Sequence, residues 1–265
     1  MAWKGLVISM RELQMHDQEE GQRLDRVLMK YMQLAPKSFI YKMLRKKNIK
    51  LNGKKADGTE RLHSGDQIAL YLADETIDGF RQAAPAAKIP SEAKKKLAVV
   101  YEDEDILFIN KPVGMLSQKA DKSDVSLVEY LIGYLVSTGA ITRQQLETFH
   151  PGICNRLDRN TSGLVAAGKT AQGLRWLNQL FRDRDLKKYY LCVVRGIVHK
   201  GSRIDGYLVK DPVKNTVRVY EQQREGADRI LTEYTPLQTG SWQGRQYTLL
   251  KVHLITGKSH QIRAH

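Results

Sequence analysis

Apolar residues first recur at helical spacing at Leu24, Val27, Leu28 and Tyr31, stop at Pro36, and resume at Phe39, Ile40, Met43 and Leu44. That pattern predicts two short helices. The period then drops to two: Ile49-Lys50-Leu51 runs into Asn52-Gly53, a tight-turn pair, and Ile68, Leu70 and Leu72 alternate within a strand expected over Asp66–Leu72. From Gly79 to Lys96 no period survives. Alanines, Pro85, Pro90 and Lys94-Lys95-Lys96 mark a tether, which would let the first module hold its ligand while the second searches. Patterning returns with two strands, Leu97–Tyr101 and Ile106–Asn110, joined by the acidic turn Glu102–Asp105 into a hairpin. Ser126 and Glu129 have capping-box spacing ahead of the stripe Leu127, Tyr130, Leu131, Tyr134 and Leu135, so a helix is expected there, with Gly139 its stop. A further helix starts at Thr170 and carries Leu174, Trp176, Leu177, Leu180 and Phe181. Beyond it, Tyr189–Val194 is predicted to be a buried strand, Gly201–Glu233 short strands and loops, and Tyr247–Leu254 a strand. The expected class is α+β: a small α/β domain over 1–80, a linker over 81–96 and a larger domain over 97–265.

Charge narrows what such a chain can do. Forty-three Lys and Arg against 29 Asp and Glu leave +14 over 265 residues, which calls for a polyanionic partner, nucleic acid or an anionic membrane. No apolar run approaches the roughly 18 residues of a membrane span, and Met1–Met10 is too short and mixed for a secretory signal, so a cytoplasmic protein is expected. The charge is concentrated. Between Arg23 and Lys55 stand eleven basic residues, Arg26, Lys42, Arg45, Lys46 and Lys47 among them, and one acid, Asp25, an excess of +10. Such a face meets phosphates and gives salt-dependent affinity with little sequence choice, unless it is only a solvated helix surface. Cys154 and Cys192 lie in apolar surroundings without zinc-site spacing and read as reduced core residues.

The chemistry points to Ile153-Cys154-Asn155-Arg156-Leu157-Asp158-Arg159-Asn160-Thr161-Ser162-Gly163-Leu164. Asp158 sits on a loop between two strand-like segments, flanked by Arg156 and Arg159, whose charge favours the carboxylate. It could act as a nucleophile, as a base, or as a salt-bridged turn residue. No second acid occupies a comparable position, which disfavours a glycosidase carboxylate pair. His150, before Pro151-Gly152, reads as a loop residue. The sequence holds no nucleotide-binding glycine fingerprint, phosphate loop or metal-ligand cluster.

The run from Asn155 to Leu164 closely resembles the active-site motif of the RluA-type RNA pseudouridine synthases: His or Asn, Arg-Leu-Asp-Arg, any residue, Thr-Ser-Gly-Leu. Val100 to Met115, including Asn110-Lys111-Pro112, resembles the opening of that family's catalytic domain, and Lys188-Tyr189-Tyr190-Leu191 its Lys, any residue, Tyr motif. Thr256-Gly257-Lys258-Ser259-His260-Gln261-Ile262-Arg263-Ala264-His265 resembles its closing motif, with Lys258 where Arg is commoner. Arg23-Leu24-Asp25, the Lys37-Ser38 helix start and Leu51-Asn52-Gly53 resemble the S4 RNA-binding module.

The resemblance implies an S4-like domain followed by a mixed, mainly antiparallel catalytic sheet with flanking helices. It implies isomerisation of uridine in RNA without a cofactor or metal. Asp158 would start glycosidic cleavage, Tyr190 lie against the uracil, and Arg263 pair with the Asp; Arg156 would fill the space of a flipped nucleotide or hold its phosphate. Arg159, Lys188, Lys258, His260 and Gln261 join Arg156 and the N-terminal basic residues as RNA contacts. Ribosomal RNA of the large subunit is the favoured partner over tRNA, with the protein a monomer. Relatives normally continue past the closing motif, which implies either that the chain as given lacks the end of its catalytic domain, and activity with it, or that its core is completed another way. The rival expectation is a non-catalytic RNA-binding or ribosome-assembly protein that retains the fold.

Overall fold

A computed structural model describes residues 10–81, 97–121, 123–211 and 216–265, and the chain divides into two compact units, Met1–Gln179 and Leu180–His265. The first unit opens with an antiparallel sheet of order β1-β4-β2-β3, formed by β1 (Met10–Gln14), β2 (Ile49–Leu51), β3 (Lys54–Lys55) and β4 (Gln67–Tyr71). Helices α1 (Leu24–Tyr31) and α2 (Lys37–Arg45) cover it where the apolar period placed them. Leu24, Leu28, Ile40, Leu44, Ile49, Ile68 and Leu70 are all essentially inaccessible there, one core shared by helices and strands. The buried carboxylate of Asp25 is held by Arg23 at 2.9 Å and by the Tyr41 hydroxyl at 2.6 Å. β1 and the short helix α3 (Asp74–Phe80) were not legible in the pattern: both are brief, and β1 becomes a strand by pairing with β4. The expected tether over 81–96 lies, apart from Arg81, outside the described residues.

Within this unit the N-terminal module is also joined directly to the segment around residues 140–149. Thr148 Oγ1 donates to the buried Glu19 carboxylate at 2.7 Å, Gln145 Nε2 to Gln18 at 2.8 Å, and Arg81 pairs with Glu147 at 2.5 Å. Lys30 reaches the Phe149 ring at 5.4 Å, and Arg175 donates to the Glu20 carbonyl at 2.9 Å. These contacts set residues 10–81 against residues 140–149 and the helix that carries Arg175.

The rest of the first unit is a second antiparallel sheet of order β5-β6-β8-β7. Its strands are β5 (Val99–Glu102), β6 (Ile106–Lys111), β7 (Gly152–Ile153) and β8 (Gly163–Gly168). The hairpin β5-β6 and the strands on either side of the Asp158 loop fall where expected. Helix α4 (Leu127–Ser137) carries the predicted capping box, Ser126 N donating to Glu129 at 2.8 Å, and the chain leaves it through Gly139 at φ +77°. Helix α5 (Ala171–Asp183) is capped by Thr170, whose Oγ1 accepts from Gly173 N at 3.0 Å. Its Gly173 lies so close to the Asp105 carbonyl that a Cβ would stand 2.2 Å from that oxygen. Trp176, expected on the apolar face, is exposed.

The second unit is a five-stranded antiparallel sheet of order β11-β10-β12-β13-β9. It comprises β9 (Tyr189–Arg195), β10 (Ser202–Asp211), β11 (Thr216–Tyr220), β12 (Asp228–Trp242) and β13 (Arg245–Leu254). Two expectations are corrected. The region read as short strands and loops contains β10 of ten residues and the start of β12 of fifteen, because the long register between them outweighs a polar sequence. The run Tyr189–Val194 is an edge strand with alternate residues exposed, not a buried one. β12 bends at a register shift between Pro236 and Gln238, where proline offers no donor to the ladder. A single turn, α6 (Gln261–Ala264), follows β13, entered through His260 at φ +57°.

Candidate active site

Asp158 stands half-buried on the loop from β7 to β8. The base of that loop is closed by Asn155, whose Oδ1 accepts from Ala166 N at 2.8 Å and whose Nδ2 donates to the Leu164 carbonyl at 3.2 Å. Thr161 N donates to the Asp158 carbonyl at 3.0 Å, making the turn, and the chain re-enters β8 at Gly163 with φ +132°, a conformation costly for any residue with a Cβ. Asn155, Thr161 and Gly163 thus shape the main chain around the carboxylate.

A neighbouring segment grips the same loop from outside. Lys111, at the end of β6, is completely buried and donates from Nζ to the carbonyls of Pro112 (2.9 Å), Met115 (2.9 Å) and Arg159 (3.3 Å). Burial pushes its ammonium below the ordinary lysine value, while the charge of Asp158 acts to raise it. Gly114 and Arg159 are tied twice, Gly114 N to the Arg159 carbonyl at 2.8 Å and Arg159 Nε to the Gly114 carbonyl at 3.1 Å. Ser117, buried, accepts from Leu157 N at 3.0 Å and donates to the Leu157 carbonyl at 2.7 Å. Arg156 is exposed and reaches Gln118 at 3.4 Å. Arg159 is therefore part of the scaffold as well as of the charge near Asp158.

In the sequence Lys111 stands out only as part of Asn110-Lys111-Pro112, and Ser117 does not stand out at all. Their bonds to the Asp158 loop span 48 and 40 residues, so no local pattern could have announced those contacts. The Lys-Pro-x-Gly run was a faint signal, since a lysine closing an apolar strand must find acceptors if buried.

The second unit carries the other expected residues. Tyr190 is half-buried on β9, in register with Val252, while its neighbour Tyr189 stacks on the His253 ring at 4.9 Å. Lys188 precedes the strand and accepts from Leu254 N through its carbonyl at 2.9 Å; burial first, and Arg184 second, lower its ammonium pKa. Arg263 is exposed on α6, and His260 begins that turn. Gln261 is buried, its Nε2 donating to the Leu231 carbonyl (3.1 Å) and Thr232 Oγ1 (2.9 Å), its Oε1 accepting from Thr256 Oγ1 (2.9 Å) and Lys258 N (3.1 Å). Its amide is fully engaged in holding the closing loop on the sheet. Lys258 pairs with Asp228 at 2.6 Å.

On the N-terminal module Arg26, Lys42, Arg45, Lys46 and Lys47 are exposed. Lys30, also in the basic stretch, turns inward to Gln22 at 2.8 Å. The cysteines are free but half-buried, which corrects their assignment to the core; burial pushes the Cys154 thiol up to about 11. Among the described residues no three His, Cys, Asp or Glu side chains gather at metal-binding range, and no helix is long and apolar enough to cross a membrane.

Comparison with known proteins bears directly on this loop. The chain is 29% identical over 250 residues to the ribosomal large subunit pseudouridine synthase C of Vibrio cholerae serotype O1, a match covering 92% of this chain and 72% of that one. It is 28% identical over 251 residues to the protein of the same name from Escherichia coli strain K12, covering 93% and 72%. An uncharacterised RNA pseudouridine synthase of Mycoplasma genitalium is 30% identical over 248 residues, covering 93% and 75%. The human RNA pseudouridylate synthase domain containing 4 shares the fold, with a TM-score of 0.52 at 19% identity over 68% of this chain and 67% of that one. The family model described as RNA pseudouridylate synthase matches residues 105–265, which takes in the Asp158 loop, the β9 tyrosines and the closing turn, and the chain belongs to that family.

Proposed function

We propose that this pseudouridine synthase acts on uridine in large-subunit ribosomal RNA, with Asp158 as the carboxylate that starts cleavage of the N1 glycosidic bond. After cleavage the uracil turns and C5 bonds to C1′, so the C5 hydrogen is lost to solvent and N1 gains a proton; no atom is gained or lost overall. The observation that carries the assignment is the construction around Asp158, where Asn155, Thr161, Gly163 and Lys111 fix the main chain on both sides of one acidic side chain. The names of the Vibrio and Escherichia relatives support the choice of RNA.

Tyr190 is assigned to the uracil, as stacking partner and proton carrier, on its motif and its position on β9. Arg263 is assigned as the cation that supports the reacting carboxylate, on its place in the closing motif. The target nucleotide must leave its stack, at a cost of a few kcal/mol, and Arg156, exposed beside Asp158, would occupy the vacated space. Residues 1–80 act as an S4-like module joined by 81–96 to the catalytic domain over 97–265. Its exposed Arg26, Lys42, Arg45, Lys46 and Lys47 meet phosphates.

Large-subunit RNA transcribed with uridine tritiated at C5 tests this. The protein is expected to release tritium, and Asp158→Asn to release it about 10³-fold more slowly or worse while binding RNA equally well. Equal release by both would remove Asp158 from the chemistry. No release by the unaltered protein, with RNA binding intact, would leave an RNA-binding protein that keeps the fold.

A further inference from the structure

Ser117 occupies an unusual position relative to the Asp158 loop. One hydroxyl accepts from the N–H of Leu157 and donates to the C=O of the same residue. Those two groups lie in the two peptide planes on either side of the Leu157 Cα, and the second plane contains the nitrogen of Asp158. Rotation about Leu157 would swing the carboxylate, and it would break at least one of the two bonds. Ser117 is 5% exposed and Leu157 8%, so water has little access to replace either bond.

The clamp is itself moored. Leu116 forms a parallel bridge with Ser126, and its carbonyl accepts from Leu127 N at 2.8 Å, tying the segment to the first turn of α4. On the other side the Met115 carbonyl accepts from Lys111 Nζ at 2.9 Å. Gln118, next in sequence, accepts from Arg156 at 3.4 Å, so consecutive residues of one segment hold consecutive residues of the loop.

We propose that Ser117 is a positioning residue for the reaction, its hydroxyl fixing the orientation of Leu157 and thereby the place of the Asp158 carboxylate. This rests on the assignment of Asp158 given above. It concerns the hydroxyl, not the volume of the side chain.

The test uses the full chain and the tritiated large-subunit RNA at saturating enzyme in a single turnover, with RNA affinity measured in parallel. Ser117→Ala is expected to slow release by about ten- to a hundredfold, the penalty typical of a reacting group displaced by about 1 Å, with affinity unchanged within about twofold. Ser117→Thr and Ser117→Val have the same shape and differ in the hydroxyl. The threonine variant is expected to react at least about tenfold faster than the valine variant, and this pair decides the matter if the alanine variant does not fold. In the unaltered protein the Leu157 amide should be among the slowly exchanging hydrogens. Equal rates for the Thr and Val variants, an unslowed Ala variant, or rapid exchange at Leu157 would each overturn the proposal. If Asp158→Asn is inactive while Ser117→Ala is unslowed, only this inference fails; if Asp158→Asn is active, the assignment beneath it fails.

Discussion

The Asp158 loop and the basic face of the N-terminal module are both groups of charged residues, and they are built in opposite ways. Around Asp158 the main chain is held at Cys154, Leu157 and Arg159 by partners from β6, β8 and the segment between β6 and α4, while Thr161 N bonds back to the Asp158 carbonyl and the Asn155 side chain clamps β8. On α2 and just beyond it, Lys42, Arg45, Lys46 and Lys47 extend into solvent from a helix whose other side is core. A reaction needs one oxygen in one place, so the sequence around it is constrained residue by residue. Phosphate binding needs charge density, which tolerates mobile side chains and exchanges freely with counterions.

The strongest tests set the two regions against each other. Replacing Lys42, Arg45, Lys46 and Lys47 with Ala together should weaken RNA binding about a hundredfold at moderate salt and reduce the slope of log affinity against log salt by about three. The single-turnover rate at saturating protein should hold. Asp158→Asn should do the reverse, and if either set moved both quantities alike, the two regions would not be separable.

Lys111→Met ranks next. It leaves three carbonyls without their donor and should cost about 3 kcal/mol in denaturant unfolding, with tritium release falling further than affinity. A stable variant of normal rate would mean the buried ammonium is not what shapes the loop.

Thr148→Val removes a donor from the buried Glu19 and should cost about 1–2 kcal/mol by the same measurement, leaving chemistry on saturating RNA unchanged. The smallest effect lies at the base of the loop. Burial raises the Cys154 thiol from 9.0 to about 11, so the protonated form is favoured in the folded chain. Its contribution to stability is full below pH 9.0 and fades as pH climbs towards about 11. Iodoacetamide should label it slowly at pH 8 and about tenfold faster per pH unit above. Fast labelling at pH 8 would show a loop looser than its hydrogen bonds imply.

How much of this was legible in the sequence depends on the range of the interactions. The paired N-terminal helices, the β5-β6 hairpin and the capping box of α4 are written locally, in period and spacing, and stand where expected. Asp158 was legible as a candidate because the flanking Arg156 and Arg159 and the turn residues that follow are its neighbours in the chain. Ser117 was not, because its contact with Leu157 exists only after the sheet assembles. The edge position of β9 escaped for a related reason: apolar runs mark strands, but which strand ends a sheet is settled by pairing. The long β10 and β12 were hidden by polar, outward-facing residues that a ladder of backbone bonds can carry.

The seam between residues 10–81 and 140–149 joins amides, a hydroxyl and an ion pair, with the buried Phe149 ring beneath Lys30. Groups of that kind lose little when wetted, since water takes the place of each lost partner. Parting there would wet one aromatic ring, while the apolar core of residues 10–81, closed on its own side chains, would stay intact.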